Sequence, residues 1–158
     1  MSRNSPAEEK LDARGKTFAI VAAQWNPRIV DALLSGAVAA LRECGAQVAE
    51  VQRCPGVFEL APLCARVARK GGIDGIIALG CLIRGGTDHY SLLATETTRA
   101  LGQLALELGT NPKAVAVAFG VLTCGTEQQA EERKDKGREA ALACIQQCIA
   151  LNALDGAA

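Results

Sequence analysis

Four short apolar runs, separated by amphipathic stretches, constrain this 158-residue chain more than any other feature. TFAIVAA at 17–23 fits a strand buried on both faces, as do DGIIAL at 74–79 and AVAVAF at 114–119. A further strand is expected at 47–52. Asn26-Pro27 opens the first intervening stretch as a cap residue and a first-position proline. Ile29/Val30, Leu33/Leu34, Ala37/Val38 and Leu41 then recur at helical spacing, and Gly45 supplies the stop. Cys54-Pro55-Gly56 reads as a turn. Leu60, Leu63/Cys64 and Val67/Ala68 mark a second helix, ended by Gly71-Gly72. A third is expected over 90–108, with Leu93, Ala100/Leu101, Leu104 and Leu108 inward. A fourth is expected over 127–151, with Ala141, Ile145 and Cys148 on one face. The stretches 80–89 and 120–126 read as loops. This β-α-β-α-β-α-β-α order predicts an α/β domain: a four-stranded parallel sheet with helices on both faces. Such sheets bind ligands beyond the carboxyl ends of their strands.

Charge narrows the partners. Lys+Arg and Asp+Glu are 17 each, which argues against a broad nucleic-acid face and leaves little self-repulsion in an assembly. Apolar residues are 49% and charged residues 22%, the balance of a soluble globular chain. The seven cysteines contain no CxxC pair, and one histidine is available, so zinc-ligand spacing is absent. Buried, reduced thiols are expected, and with them a reducing compartment. Residues 1–16 are polar and lack a signal peptide's apolar core, and no run approaches the ~18 apolar residues of a membrane span. A flexible segment 1–16, a domain over 17–158 and a cytoplasmic location are therefore expected.

The strand ends hold the scarce chemistry. Arg84-Gly85-Gly86-Thr87-Asp88-His89 combines two glycines, a hydroxyl and a following helix N-terminus, which suits an anion. The same residues would also make an ordinary strand-to-helix turn. His89, the only histidine, is placed for proton transfer beside such a site or for helix capping. Trp25 and Phe58 could stack on a flat heterocycle or plug the core. Glu59 could accept hydrogen bonds or favour a helix start. Arg133 and Lys136 lie in EERKDKGRE, either a solvated face or a phosphate clamp.

Five segments in order resemble the lumazine synthase family. They are Gln24-Trp25-Asn26 with Leu33 to Ala37, CPGVFEL at 54–60, ALGCLIRGGTDHY at 78–90, FGVLT at 119–123, and Asp135-Lys136-Gly137 with Glu139-Ala140-Ala141. The resemblance implies a flavodoxin-like three-layer domain that forms pentamers or their multiples, including sixty-subunit shells. It implies condensation of 5-amino-6-ribitylaminouracil with 3,4-dihydroxy-2-butanone 4-phosphate to 6,7-dimethyl-8-ribityllumazine, with no metal or organic cofactor. Carried over, Trp25 stacks on the pyrimidine, and Val57, Phe58 and Glu59 hold the ribityl chain and ring. Leu82 and Ile83 line the ring pocket, Gly86 and Thr87 bind phosphate, and His89 is the acid–base group. Phe119, Arg133 and Lys136 come from a neighbouring subunit, with Arg133 on the phosphate.

The sequence departs from the family in places. Gln24 stands where Arg is common, Trp25 replaces Phe, and Asp88 adds a negative charge beside the cradle. The stretch from Arg133 to Lys136 is several residues short, so Lys134 or Arg138 could take either role. Two other functions share the fold: an archaeal-type riboflavin synthase, and a non-catalytic lumazine-binding or shell-forming relative.

Overall fold

The structure, a computed structural model, describes residues 10–156. Four strands form one parallel sheet in the order β2-β1-β3-β4. They are β1 Thr17–Ala23, β2 Gln47–Cys54, β3 Gly75–Ile83 and β4 Ala116–Cys124. Five helices accompany them: α1 Pro27–Glu43, α2 Leu60–Arg69, α3 His89–Gly109, α4 Glu127–Glu131 and α5 Lys136–Leu154. A 3-10 turn, Val57–Glu59, precedes α2. Strand periodicity builds the two cores. Phe18, Ile20 and Ala22 of β1 face a cluster with Leu33 and Leu41 of α1 and Ala141 and Ile145 of α5. Ala19, Val21 and Ala23 face the other, with Leu60 and Cys64 of α2 and Leu101 and Leu104 of α3. This is the expected three-layer α/β arrangement.

Several boundaries differ from expectation. β3 runs to Ile83 and β4 to Cys124, so 80–83 and 120–124 are strand rather than loop. The glycines that suggested loops serve close packing instead. A Cβ on Gly80 would lie 2.8 Å from Val57 Cγ1, and one on Gly120 would lie 2.5 Å from Leu79 Cδ2. The single helix expected over 127–151 is two, α4 and α5. Between Ala130 and Ala140 no large apolar side chain anchors a continuous helix to the core, so the charged residues 132–135 form a turn. In α3 the inward residues are Thr97, Leu101, Leu104 and Leu108; Ala100 faces solvent and Leu93 is half-buried.

Of the segment 1–16 expected to be flexible, residues 1–9 lie outside those described. Within the remainder, Ala13 is fully buried, and its N–H donates to Cys44 O at 2.8 Å. No disulfide forms among the described residues, and six of the seven cysteines are buried. No helix among the described residues is long and apolar enough to cross a membrane.

Candidate active site

The sheet steps down at β1. Its pairing with β3 stops at Ala22↔Leu79, whereas β3 and β4 stay paired up to Ile83↔Cys124. The β3–β4 ribbon therefore projects past β1 and leaves strand-edge carbonyls on β3 without a partner strand. Asn26 fills one of these positions: its Nδ2 donates to Cys81 O at 2.9 Å. Asn26 is also the only non-glycine residue among those described with a positive φ, 57°. The left-handed conformation turns its side chain to β3 rather than to the start of α1, so the expected side-chain cap of α1 does not form. Its carbonyl still accepts from Ile29 N and Val30 N at 3.1 Å.

Two substitutions separate these roles. Asn26→Gly keeps the backbone conformation and loses one hydrogen bond, an expected cost of about 1 kcal/mol. Asn26→Ala adds left-handed strain of about 1–2 kcal/mol. Urea unfolding midpoints should fall in the order Asn, Gly, Ala; an alanine variant more stable than the glycine variant contradicts this.

The turn after β2 is self-locked beneath Trp25. Glu59 Oε2 accepts from Gly56 N at 2.9 Å, and Gly56 O accepts from Glu59 N at 3.3 Å. A Cβ on Gly56 would lie 3.4 Å from Trp25 Cδ1, so the indole rests over that glycine. Val57 is buried against Gly80, while Phe58 points outward. Exposure decides between the two readings of the aromatics. Trp25 is 73% exposed and Phe58 65%, so neither plugs the core, and both offer ring faces at adjacent strand ends. One Glu59 oxygen is used in fixing the turn, which leaves Oε1 for a ligand.

The cradle lies at the tip of β3. Gly85 and Gly86 do not have positive φ, so no left-handed backbone demands them. What they provide is space: nothing lies within 4 Å of a Cβ placed on either. Among the described residues no hydrogen bond occupies the N–H groups of Gly85, Gly86 or Thr87. The loop meets α3 directly, at Asp88 and His89. Open amides running into a helix N-terminus match an anion's needs. Arg84 is anchored at the loop's base: its N–H donates to Cys124 O at 2.9 Å, and its guanidinium lies 5.4 Å from the Tyr90 ring centre. Leu82 and Ile83, half-buried, are the last residues of β3 rather than part of the loop. His89 is exposed, one helical position after Asp88. Nearby thiols are poor nucleophiles. Burial, then the Glu59 carboxylate, pushes Cys54 up to about 11; burial, then Cys124, pushes Cys81 up to about 11.

Phe119, Arg133 and Lys136 lie elsewhere. Phe119, expected at a strand end, is in mid-β4, paired with Ala78 and five residues before Cys124. At strand rise that is about 16 Å back from the tip. It lines a groove of about 330 Å³ along the free edge of β4, with Thr123, Arg133, Lys136 and Glu139. Phe119 is 46% exposed there. Lys136 Nζ pairs with Glu139 Oε2 at 2.6 Å. Arg133 Nη1 donates to Gln129 O at 3.0 Å and meets no carboxylate among the described residues. The alternatives for these positions face other ways. Lys134 lies 3.5 Å from Glu131 Oε2, and Arg138 pairs with Glu43 across α1 at 2.7 Å. So the groove holds Arg133 and Lys136 despite the shortened segment. Sequence reading missed Glu139, although its spacing of three from Lys136 is a recognisable helical pair. It also missed Asn26's link to Cys81, for which the sequence carries no local signal.

The parallel sheet with helices on both faces makes this a flavodoxin-like α/β domain, with its candidate site at the strand ends. Residues 15–152 match the family described as 6,7-dimethyl-8-ribityllumazine synthase. A protein of that name from Anaeromyxobacter sp. (strain Fw109-5) is 42% identical over 151 residues, 91% of this chain and 90% of its own. One from Streptomyces avermitilis is 42% identical over 134 residues, 80% of each chain. One from Kineococcus radiotolerans is 40% identical over 158 residues, 96% of this chain and 94% of its own. The chain belongs to the 6,7-dimethyl-8-ribityllumazine synthase family, transferases of riboflavin biosynthesis.

Proposed function

We propose that this protein condenses 5-amino-6-ribitylaminouracil with 3,4-dihydroxy-2-butanone 4-phosphate, releasing phosphate and water. The observation that carries this is the pairing of two exposed ring faces, Trp25 and Phe58, with an open amide cradle at the next strand. The first suits a pyrimidine and the second a phosphate, and the two substrates supply one of each. In this reading Trp25 stacks on the pyrimidine. Val57, Phe58 and Glu59 hold the ribityl chain and ring, and Leu82 and Ile83 wall the ring pocket. Gly86 and Thr87 take the phosphate through backbone N–H groups and a hydroxyl. His89 moves the proton as the amine adds to the ketone and as phosphate leaves. No step needs a metal, since the charge that develops is on a phosphate already held by amides and a cation.

The cation comes from another copy of the chain. Within one chain the β4 edge groove lies on the far side of β3 from Trp25 and Phe58, with Phe119 about 16 Å back along β4 from the strand tip, and each region has an exposed aromatic. Packing the groove of one protomer against the cluster of the next covers both faces and brings Phe119, Arg133 and Lys136 to the substrates. Two such unlike surfaces meeting head to tail generate a ring, here the pentamer or a multiple of it. Arg133, without a carboxylate partner, is the groove's phosphate ligand; Lys136 is tethered by Glu139. The buried reduced thiols suit the cytoplasm.

An assay with both substrates tests the reaction. The expected result is lumazine and inorganic phosphate formed in equal amounts, with no riboflavin when lumazine alone is supplied. Ligand binding without either product would instead make this a non-catalytic relative.

A further inference from the structure

An ion pair joins the two regions of one chain that the proposed site assigns to different pockets. Arg28, the second residue of α1, lies three residues after Trp25 and places Nη2 2.5 Å from Glu131 Oε1. Glu131 ends α4, two residues before Arg133. Its side chain is 24% exposed against 79% for Arg28. Oε1 is shielded from water and meets hydrogen-bond geometry with no donor, so at that oxygen the compensation is the charge on Arg28, while Oε2 meets Lys134 at 3.5 Å. Exposed ion pairs contribute little. Glu131 is better shielded than most, and Arg28 is the nearer of its two counter-charges, so losing Arg28 leaves the Oε1 side of the carboxylate uncompensated.

α4 depends on such a hold. Five residues are too few for a helix to be stable unaided. Its start is fixed: Gly125 N donates to Gln129 Oε1 at 2.7 Å, and Gln129 N donates to Thr126 Oγ1 at 3.2 Å. Ala130 is buried. At its end the tether is Glu131, and the turn 132–135 hangs from that point. The Arg133 guanidinium, in that turn, bonds back to Gln129 O of α4, so wherever α4 goes, Arg133 goes.

We propose that Glu131, held by Arg28, is a positioning residue that aims Arg133 at the phosphorylated substrate. This rests on the reading of the reaction given above. It makes a prediction opposite to that of simple charge. Removing a carboxylate near a phosphate site should tighten anion binding on Coulombic grounds alone. If Glu131 positions Arg133, removing its charge weakens binding.

Arg28→Gln, Glu131→Gln and the double variant test this by steady-state kinetics and amide exchange. Each single change should raise KM for the phosphorylated substrate roughly tenfold, the loss of one charge-assisted contact. kcat and KM for the ribitylaminouracil should stay within about twofold. The double variant should be no worse than the worse single one, as expected for one shared interaction. Exchange should quicken over 126–135 and not elsewhere. A lower KM in Glu131→Gln, equal shifts for both substrates, additive effects or unchanged exchange would each overturn the proposal. Absence of turnover in the unmodified protein would instead refute the reaction, and exchange would then decide the role of Glu131 by itself.

Discussion

Gly137→Ala is expected to cost about 3 kcal/mol or more, a large share of a domain's total stability. Gly137 is the second residue of α5 and is buried against α1. A Cβ there would enter the Leu33 carbonyl oxygen and lie 2.6 Å from both Leu33 C and Leu33 Cα. All three are backbone atoms inside a helix, so no rotamer change relieves the clash. The helices would have to part, and with them Lys136 and the wall of the β4 groove. Gly36, on the α1 side of the same contact, is the control. A Cβ there would meet Arg138 N at 3.3 Å, a contact that a few tenths of an ångström relieves. Gly36→Ala also gains about 1 kcal/mol of helix propensity. Urea midpoints should therefore stay near the original for Gly36→Ala and collapse for Gly137→Ala. Similar midpoints for the two would show that α1 and α5 are not in this close register.

His89→Ala is expected to lower kcat about a hundredfold, at the modest end of what a general acid–base group supplies. The low end applies because His89 is exposed, and among the described residues nothing hydrogen-bonds its ring into one orientation. Stability should not change, since the side chain is outside both cores. KM for the phosphorylated substrate should move by no more than about twofold, because the cradle's contacts are backbone N–H groups. Stopped-flow or steady-state rates at saturating substrate measure this. A kcat unchanged by the substitution would remove His89 from the chemistry and leave the site catalysing by orientation alone.

The sequence made the sheet, its order of elements and most core residues legible, because strand and helix periods differ and each run keeps one of them. Phe18, Ile20 and Ala22 alternate with Ala19, Val21 and Ala23 across two cores, as the pattern requires. The strand ends were less legible. Gly80 and Gly120 have the composition of loops but the function of close packing, and that depends on Val57 and Leu79, which are distant in sequence or on another strand. The break between α4 and α5 was hidden for the opposite reason. EERKDKGRE is a good helix composition, and only the lack of an apolar anchor inside it separates the two helices. Among the candidate site residues, Trp25, Phe58, Gly86, Thr87 and His89 were singled out because the fold rule points at strand ends, and each does lie at or just past one. Phe119 was misplaced by that same rule: its neighbour Gly120 looked like a strand end and was not. The sequence could list the cations at 133–138 but not choose among them. What distinguishes them is tertiary: Arg133 and Lys136 line the β4 groove, whereas Lys134 turns to Glu131 and Arg138 to Glu43.

A site divided between two copies of the chain is the central claim, and mixed assemblies test it most directly. His89→Ala disables the strand-end half and Arg133→Ala the edge half. Each variant alone should be nearly inactive at low concentrations of the phosphorylated substrate. Co-expressed in equal amounts with two different tags and purified through both, they should recover activity. In a randomly mixed ring about one quarter of the sites pair an intact His89 half with an intact Arg133 half. The mixture is therefore predicted to show about one quarter of the unmodified activity. Activity no greater than the mean of the two variants would mean that each chain builds its whole site alone, which contradicts the account.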